Sequence, residues 1–361
     1  MPASVFYGMV TPYVIKLSSR KDMEGQGSGN VFALSTAGSI SGTLLSGFLL
    51  IPNISLSTIF VGTAAVMLFG AWFIGRAVVP ETAIFLLVAL PLSTLTFTPI
   101  IDGELLNHTS SEYYEINVYN ITENNSMMTV LMLDNVFSSG QDSNRSRVFG
   151  YVEKERFAYS IVNNPKRALV LGVAAGTQIE DLKAYFPYLI VDGVEIDSKT
   201  VDVGKQFFSL SLDNRTNIHI DDGRRYIKKC DNTYDIVLID AYKGMSIPYH
   251  MASAEFLQEL KKVMSNESIV VFNVIGTLKG SDSKLFEALH VTYDAAFSDV
   301  VVMPLDRNNP DKLQNIVFVA SDMNLSSFRS RYASEIYLPE SLSAGIITDD
   351  LNPTETFVIS R

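Results

Sequence analysis

Uncharged hydrophobic runs dominate the first hundred residues of the chain. Residues 31–51, 56–75 and 82–101 each contain about twenty residues without a charged side chain, and a helix of about that length crosses a hydrocarbon layer of about 30 Å. Three such runs joined by short loops are not typical of buried helices in a soluble domain. The pattern therefore predicts a transmembrane region of about three helices at 1–101.

A pattern of alternating apolar and polar residues follows the hydrophobic runs. Residues 112–133 contain Y-E-I-N-V-Y-N-I-T, then E-N-N-S, then M-T-V-L-M-L. Alternation with a period of two indicates strands, and the Asn-rich segment between them favours a turn. We therefore expect a small β-hairpin domain at 102–150.

Short apolar runs alternate with amphipathic stretches in the next part of the chain, 151–330. Alternation of this kind is typical of an α/β fold with a doubly wound parallel sheet, whose ligands lie at the carboxyl ends of the strands. We expect a Rossmann-like nucleoside-binding domain here and a tail at 331–361 that packs on it. The predicted strands are 168–173, 189–195, 217–221, 234–240, 268–274, 299–303 and 315–320, and the predicted helices are 177–186, 198–209, 252–264 and 282–296.

The first two strands of this domain carry a pattern typical of an adenine nucleoside site. The first continues into L-G-V-A-A-G-T-Q, which includes Gly172, Ala174 and Gly176, and the second ends in V-E-I-D with Glu195. Glycines allow the backbone to approach a ligand closely, and a carboxylate at the end of the second strand can accept both ribose hydroxyls. The glycine spacing also arises from helix–strand packing, and Asp197 fits the role of a helix cap.

Carboxylates also follow the third and fourth strands of the domain. Asp222 and Gly223 follow the third strand, where a carboxylate can accept the adenine amino group. Asp240 closes the fourth strand in Y-D-I-V-L-I-D-A-Y, with Tyr242 and Lys243 directly after it. At the edge of a nucleoside pocket, Asp240 can take a proton from an attacking amine. A helix cap for Asp222 and a turn cap for Asp240 are the alternatives.

These motifs in this order resemble the spermidine synthase (polyamine aminopropyltransferase) family. The motifs are G-x-x-x-G, E-I-D, D-D-G-R and Y-D-I-V-L-I-D, and the resemblance extends over about 112–320. The resemblance implies a class I methyltransferase fold preceded by a β-hairpin domain. G-M-V-T-P-Y-V-I-K-L near the start and I-T-D-D-L-N-P-T-E at 347–355 are similar to the membrane-fused branch of that family.

The resemblance implies a membrane-anchored aminopropyltransferase of polyamine biosynthesis. In that interpretation Glu195 binds the ribose and Asp222 the adenine of decarboxylated S-adenosylmethionine, and Asp240 helps to deprotonate the acceptor amine. The resemblance also implies that Tyr242 and Lys243 lie beside the substrate. The reaction is a displacement at carbon, so catalysis depends mainly on alignment and on an unprotonated nucleophile.

Three positions depart from the family pattern. Ala175 stands where the family's glycine loop has an Asp, Lys243 stands where the family has a second Asp, and Phe137-Ser138 replaces a substrate-binding Gln. A lysine repels a cationic acceptor. The departures therefore alter the amine half of the site, whereas the nucleoside half keeps the family pattern. Two other functions stay open, a methyltransferase that uses S-adenosylmethionine and a non-catalytic nucleoside-sensing membrane protein. Ala175 would leave room for the carboxylate of S-adenosylmethionine.

Charge narrows the range of partners. A net charge of −11 provides no basic surface for nucleic acid, and four scattered histidines with one cysteine show no metal-ligand spacing. We therefore expect a small-molecule amine as acceptor, contact with a lipid bilayer, no nucleic acid and no metal. Gly38 and Gly42 in the first hydrophobic run allow close helix packing in lipid, and the family resemblance implies a homodimer.

The membrane orientation receives conflicting signals from the sequence. Lys16, Arg20 and Lys21 precede the first hydrophobic run, and Arg76 lies between the second and third. By the positive-inside rule these loops are cytoplasmic and the C-terminal domain lies outside. An enzyme that uses a cytosolic nucleoside needs the opposite orientation. We expect a multi-pass membrane protein with a cytoplasmic catalytic domain, against the charge bias.

Overall fold

The chain divides into two separate units. Residues 1–97 contain the hydrophobic runs, and residues 98–361 contain the α/β part. The boundaries of the four predicted domains within the chain stay a prediction. The computed structural model describes residues 24–51, 54, 56–74, 101–123, 126–280, 282–339, 342 and 344–354.

Two helices form the described part of the N-terminal unit. Helix α1 (Glu24–Leu45) continues into a π-helical turn (Ser46–Leu50), and α2 spans Leu56–Ile74. Among the described residues, one helix, Gly29–Leu50, is long and apolar enough to cross a membrane. Residues 82–100 of the third predicted span, 82–101, lie outside the described residues, so the multi-pass arrangement stays a prediction.

A four-stranded antiparallel sheet begins the C-terminal unit, in the order β1-β2-β3-β4. The predicted hairpin is confirmed, because its two strands pair with Glu123 opposite Ser126 across the turn. The outer strands β1 and β4 extend the sheet beyond the hairpin that the alternation predicts. The strands are β1 (Gly103–Ser110), β2 (Glu115–Glu123), β3 (Ser126–Leu133) and β4 (Val136–Asp142).

The second sheet has seven strands in the order β10-β11-β9-β8-β5-β6-β7. The prediction of a purely parallel sheet is wrong, because β11 runs antiparallel to both of its neighbours, β9 and β10. The chain returns from β10 to β11 through a short loop, and a parallel pairing would need a crossover connection. The strands are β5 (Arg167–Leu171), β6 (Ile190–Glu195), β7 (Thr216–Ile220), β8 (Tyr234–Ile239), β9 (Met264–Gly276), β10 (Asp299–Pro304) and β11 (Gln314–Ser321).

Apolar clusters cover both faces of the seven-stranded sheet. Leu169 and Leu171 of β5 belong to one cluster, whereas Ala168 and Val170 belong to the other. Burial on both faces explains why the central strands are continuously apolar in sequence. The helices of this unit are α3 (Tyr151–Tyr159), α4 (Thr177–Tyr185), α5 (Ser198–Phe207), α6 (Gly223–Ile227), α7 (Ala254–Lys261), α8 (Lys284–Ala296) and α9 (Ser326–Arg331).

The described part of the C-terminal tail packs on the α/β domain. The Asp349 carboxylate pairs with the guanidinium of Arg224 at 2.7 Å, and this contact lowers the pKa of Asp349 to about 2. The Asn352 amide donates a hydrogen bond to the carbonyl of Tyr249 at 2.6 Å, and Arg224 donates to the carbonyl of His250 at 3.0 Å. The tail is therefore bonded to the loop that follows β8.

Candidate active site

A cavity of about 990 Å³ lies at the carboxyl ends of the central strands, where the α/β pattern predicts a ligand site. The sheet order divides its lining into two parts around β5. We call the lining residues after β6 and β7 the β6–β7 half. The lining residues after β8 and β10, near the end of β9 and at the start of the antiparallel β11 form the β8–β9 half, together with Arg147, Phe149, Tyr151 and Gln178.

Gly172 joins the two halves at the end of β5. Its backbone has a φ of +90°, and a Cβ there would lie 2.5 Å from the carbonyl oxygen of Asp240. Only glycine tolerates both the conformation and the contact. The next residues, Val173 and Ala174, donate their backbone N–H groups to Oε2 of Glu195 at 3.0 and 2.9 Å. The glycine turn is thus fixed by the carboxylate of the neighbouring strand.

Glu195 is almost fully buried at the end of β6, with 6% of its surface exposed, and it lines the cavity. Its Oε1 accepts a further hydrogen bond from the backbone of Asp197 at 3.1 Å. Burial raises the pKa of Glu195 although these backbone donors favour the ionised form. Asp197 caps α5 by accepting from the N–H of Lys199, as the sequence predicts.

Asp222 both caps a helix and lines the cavity. Its Oδ1 accepts the backbone N–H of Arg225 at 2.9 Å in the first turn of α6, and its Oδ2 lies 2.8 Å from Nε2 of His250. The hydrogen bond with His250 lowers the pKa of Asp222, which is therefore ionised at neutral pH. Gly223 lines the cavity beside it, and the neighbouring Asp221 pairs with Arg225.

Gly176 and Ala175 lie outside the cavity lining. A Cβ on Gly176 would meet the side chain of Leu210 at 2.5 Å, so this glycine permits close packing against the segment that follows α5. Ala175 is fully buried in an apolar cluster with Val203 and Phe208. The expectation that Ala175 leaves room for a methionine carboxylate is therefore wrong.

Asp240 lies on the side of Gly172 opposite to Glu195, and three side chains hold its carboxylate. Its Oδ1 accepts from the Asn273 amide at 3.0 Å, and its Oδ2 accepts from the Gln178 amide at 3.0 Å and from the Tyr151 hydroxyl at 3.3 Å. These contacts do not fit the turn cap that was its alternative. Burial raises the pKa of Asp240 against the effect of the three donors, which increases its affinity for a proton.

Gln178 connects Asp240 to a buried ion pair. The amide nitrogen of Gln178 also donates to Oε1 of Glu155 at 3.0 Å, so one amide group bridges two carboxylates. Glu155 in turn pairs with Arg147, whose side chain is 4% exposed and lies 3.9 Å from Asp181. Burial raises the pKa of Glu155 to about 7 in spite of the guanidinium beside it.

Tyr242 and Lys243 line the cavity in different ways. The Tyr242 hydroxyl donates to the carbonyl of Asn273 at 2.7 Å and accepts from the N–H of Ile275 at 2.9 Å, so it anchors the loop to β9. Lys243 begins a tight turn that two backbone hydrogen bonds with Ser246 close. The ammonium of Lys243 has no hydrogen bond or ion pair with the described part of the chain.

Sequence reasoning missed the side chains that hold Asp240. Asn273 is a polar residue inside an otherwise apolar run, V-V-F-N-V-I, and that exception was its available signal. Gln178 follows the glycine turn in the first turn of α4, and Tyr151 opens α3. Helix α3 itself escaped prediction because it buries the charged side chains of Lys154 and Glu155, which obscures its apolar face.

A family sequence profile described as "Spermine/spermidine synthase domain" matches residues 155–318. The matched residues run from within α3 to β11, and they are similar in sequence to that domain. A polyamine aminopropyltransferase of Vibrio vulnificus is 31% identical over 163 residues, which are 44% of this chain and 53% of the relative. The chain spans 35%, 53% and 62% of the length of three curated relatives that it matches. The predicted resemblance is confirmed at the level of this domain.

Solved structures agree with this assignment of the fold. A probable spermidine synthase from Corynebacterium glutamicum superposes with a TM-score of 0.54 at 18% identity, over 69% of this chain and 90% of that one. A spermidine synthase in complex with the transition state analogue AdoDATO superposes with a TM-score of 0.50 at 14% identity, over 71% and 85% of the two chains. The membrane-fused branch of the family stays a prediction.

Proposed function

We propose that this protein is an aminopropyltransferase that transfers the aminopropyl group of decarboxylated S-adenosylmethionine to an amine. The single observation that carries the proposal is the placement of two carboxylates in one cavity. Glu195 fixes the glycine turn on one side of Gly172, and Asp240 lies on the other side with a raised pKa. The similarity to the spermine/spermidine synthase domain supports the same activity.

In this proposal the β6–β7 half binds the nucleoside. Glu195 keeps acceptor capacity for the ribose hydroxyls beyond its three backbone hydrogen bonds, since a carboxylate offers about four lone-pair sites. Asp222 is ionised beside His250 and accepts the adenine amino group. Gly172, Ala174 and Gly223 supply close backbone contact with the ligand.

The reaction takes place beside Asp240. The lone pair of the acceptor amine attacks the propyl carbon bonded to the sulfonium, the carbon–sulfur bond breaks, and its electron pair neutralises the sulfur of the departing 5′-methylthioadenosine. The amine nitrogen then carries an extra positive charge and gives a proton to Asp240. Asn273, Gln178 and Tyr151 act as positioning residues because they fix both oxygens of that carboxylate.

The N-terminal unit extends the proposal to the membrane. The apolar helix Gly29–Leu50 supports anchoring of the enzyme in a bilayer, and use of a cytosolic nucleoside supports a cytoplasmic catalytic domain. The small residues Gly38 and Gly42 on this helix support association into a homodimer. The similarity to the spermine/spermidine synthase domain favours polyamine biosynthesis as the process.

Methyl transfer from intact S-adenosylmethionine is the second candidate function. The observation that favours it is the cation of Lys243 in the cavity lining, which has no ion pair with the described residues and is suited to a methionine carboxylate. Decarboxylated S-adenosylmethionine lacks that carboxylate. The two nucleosides therefore separate the two candidates.

The deciding experiment uses the purified full-length protein in detergent. It is titrated with each nucleoside by calorimetry and then incubated with each nucleoside and a mixture of diamines, monoamines and amino acids. We expect release of 5′-methylthioadenosine together with an amine that is heavier by one aminopropyl group in mass spectrometry. A methylated product with S-adenosylhomocysteine would overturn the proposal, as would nucleoside binding without any product.

A further inference from the structure

The charges of the cavity lining are distributed unevenly between its halves. Glu195, Asp221 and Asp222 lie in the β6–β7 half, whereas Asp240 is the one carboxylate in the described lining of the β8–β9 half. The rest of that half includes the cations of Lys243 and of Arg147, which is paired with Glu155, and the hydroxyl of Ser246. Its other side chains are aromatic, apolar or amide. They include Phe149, Tyr151, Asn273, Ile275, Leu305 and Asn315.

The other carboxylates of the cavity already have partners. Asp222 is bonded to His250 and Asp221 to Arg225, and Glu195 accepts from three backbone N–H groups. Glu155, outside the described lining, pairs with Arg147, which lines the cavity. A linear diamine that presents one nitrogen to Asp240 therefore meets no second carboxylate in the described β8–β9 half to bind its distal ammonium.

Lys243, an exposed residue of the lining, gives this half a positive charge instead. The residue before it, Tyr242, is bonded to β9 through its hydroxyl and accepts a hydrogen bond on its carbonyl from the Tyr114 hydroxyl at 3.0 Å. The residue itself exchanges two backbone hydrogen bonds with Ser246, at 2.9 and 3.1 Å. The backbone that presents the lysine is thus held from three directions, while its ammonium has no partner among the described residues.

We propose that the acceptor is an amine that carries an anionic group, and that Lys243 binds this group while Asp240 receives the amine. The inference rests on the proposed aminopropyl transfer and names the substrate class for it. Asp240 and Lys243 then recognise opposite ends of one molecule, and a carboxylate at the far end forms a charge-assisted hydrogen bond with the ammonium. A diamine in the same position is repelled.

The test uses three amines of equal chain length and different terminal charge: 4-aminobutanoate, 4-amino-1-butanol and 1,4-diaminobutane. Their affinities are measured by calorimetry for the full-length protein saturated with 5′-methylthioadenosine, which cannot react. We expect 4-aminobutanoate to bind at least tenfold more tightly than 1,4-diaminobutane. Lys243→Glu should reverse this order, and Lys243→Met should bring the three amines within about threefold of one another.

Lys262→Glu is the matched control, because Lys262 is an exposed lysine outside the cavity lining and the change in net charge is the same. The ratio of affinities should stay as in the unaltered protein. Tighter binding of the diamine, binding of none of the three amines, or an equal ratio in the two lysine variants would overturn the inference. The inference would also be overturned if Lys243→Glu weakened the binding of S-adenosylmethionine and of none of the amines. That result would assign the lysine to the carboxylate of the nucleoside.

Turnover separates this inference from the function on which it rests. Aminopropyl transfer to 1,4-diaminobutane at a rate that Lys243→Glu does not change would overturn the inference and leave the aminopropyltransferase in place. A methylated product would overturn the aminopropyltransferase itself. Transfer to 4-aminobutanoate that Lys243→Glu abolishes and Lys262→Glu preserves would support both.

Discussion

The two halves of the cavity use different parts of the chain to hold their carboxylates. In the β6–β7 half, Glu195 and Asp222 accept hydrogen bonds mainly from backbone N–H groups of the turns beside them. In the β8–β9 half, Asp240 accepts from the side chains of Asn273, Gln178 and Tyr151. The first half is fixed by the fold, whereas the second depends on side chains that substitution can change without altering the backbone.

This difference explains why the two halves of one site can diverge separately. A nucleoside pocket built from a glycine turn and strand ends persists as long as the sheet does. The chemistry around Asp240 changes when one residue such as Lys243 is replaced, because that residue belongs to a loop with a backbone held independently of its side chain. The predictions below test this separation.

The largest effect is expected for Asp240→Asn. The amide cannot accept a proton from the amine, so kcat should fall by about 10²–10⁴ while the affinity for decarboxylated S-adenosylmethionine changes less than threefold. Steady-state kinetics and calorimetry measure the two quantities. Asp235→Asn is the control, because Asp235 accepts backbone hydrogen bonds from Lys166 and Arg167 at the other end of β8.

Asp235→Asn should lower the melting temperature and leave the kcat of the folded protein unchanged. Equal losses of kcat in the two variants would show that Asp240 acts through the fold alone. Retention of nucleoside binding with no loss of turnover in Asp240→Asn would contradict its assignment as the base. A protein that binds the nucleoside and has no turnover to lose would be a sensor.

The next effect concerns the buried carboxyl group behind Asp240. Because the pKa of Glu155 rises from 4.5 to about 7 on folding, the folded state binds more protons between these pH values. The free energy of unfolding should therefore fall as pH rises from about 4.5 to about 7, by about 3 kcal/mol from this group. Denaturant titrations at several pH values measure the slope.

Glu155→Gln removes the titrating group and should flatten that part of the pH dependence. The comparison uses the slope and not the absolute stability, since the variant also leaves Arg147 without its carboxylate partner. An unchanged slope would show that Glu155 stays ionised throughout this range. In that case the ion pair with Arg147 outweighs the effect of burial.

Glu195→Gln should weaken nucleoside binding by about 1.5–3 kcal/mol, the range for a hydrogen bond to a charged group. The kcat with saturating nucleoside should change less, because the β8–β9 half is untouched. Asp192→Asn is the control on the same strand, since Asp192 bonds to Arg167 and Asn217 at the opposite end of β6. Equal weakening of nucleoside binding by both variants would contradict the assignment.

The smallest effect is expected for Tyr114→Phe. This change removes the hydrogen bond to the carbonyl of Tyr242, which costs about 1 kcal/mol of stability. We expect a higher KM for the acceptor and no change in nucleoside affinity. Tyr188→Phe, at an exposed tyrosine outside the cavity lining, should leave both values unchanged. An effect of Tyr114→Phe confined to nucleoside affinity would assign Tyr114 to the β6–β7 half.

The sequence predicts the β6–β7 half better than the β8–β9 half for a physical reason. Glu195, Asp222 and Asp240 end apolar strands, so a local pattern is enough to bring them to one edge of a sheet. The donors to Asp240 come from α3, α4 and β9, and nothing in a local pattern shows that these segments converge. Gly176 is the reverse case, because its spacing suggests a ligand contact and its neighbour is Leu210.

The bond between the C-terminal tail and the loop after β8 has a practical consequence for protein engineering. Asp349 and Asn352 hold Arg224 and the carbonyl of Tyr249, next to the His250 that pairs with Asp222. A shortened soluble version that omits the N-terminal hydrophobic unit should therefore retain residues 347–354. An affinity tag is better attached after these residues with a spacer than in place of them, because loss of the tail would remove contacts that hold the loop after β8 at the edge of the cavity.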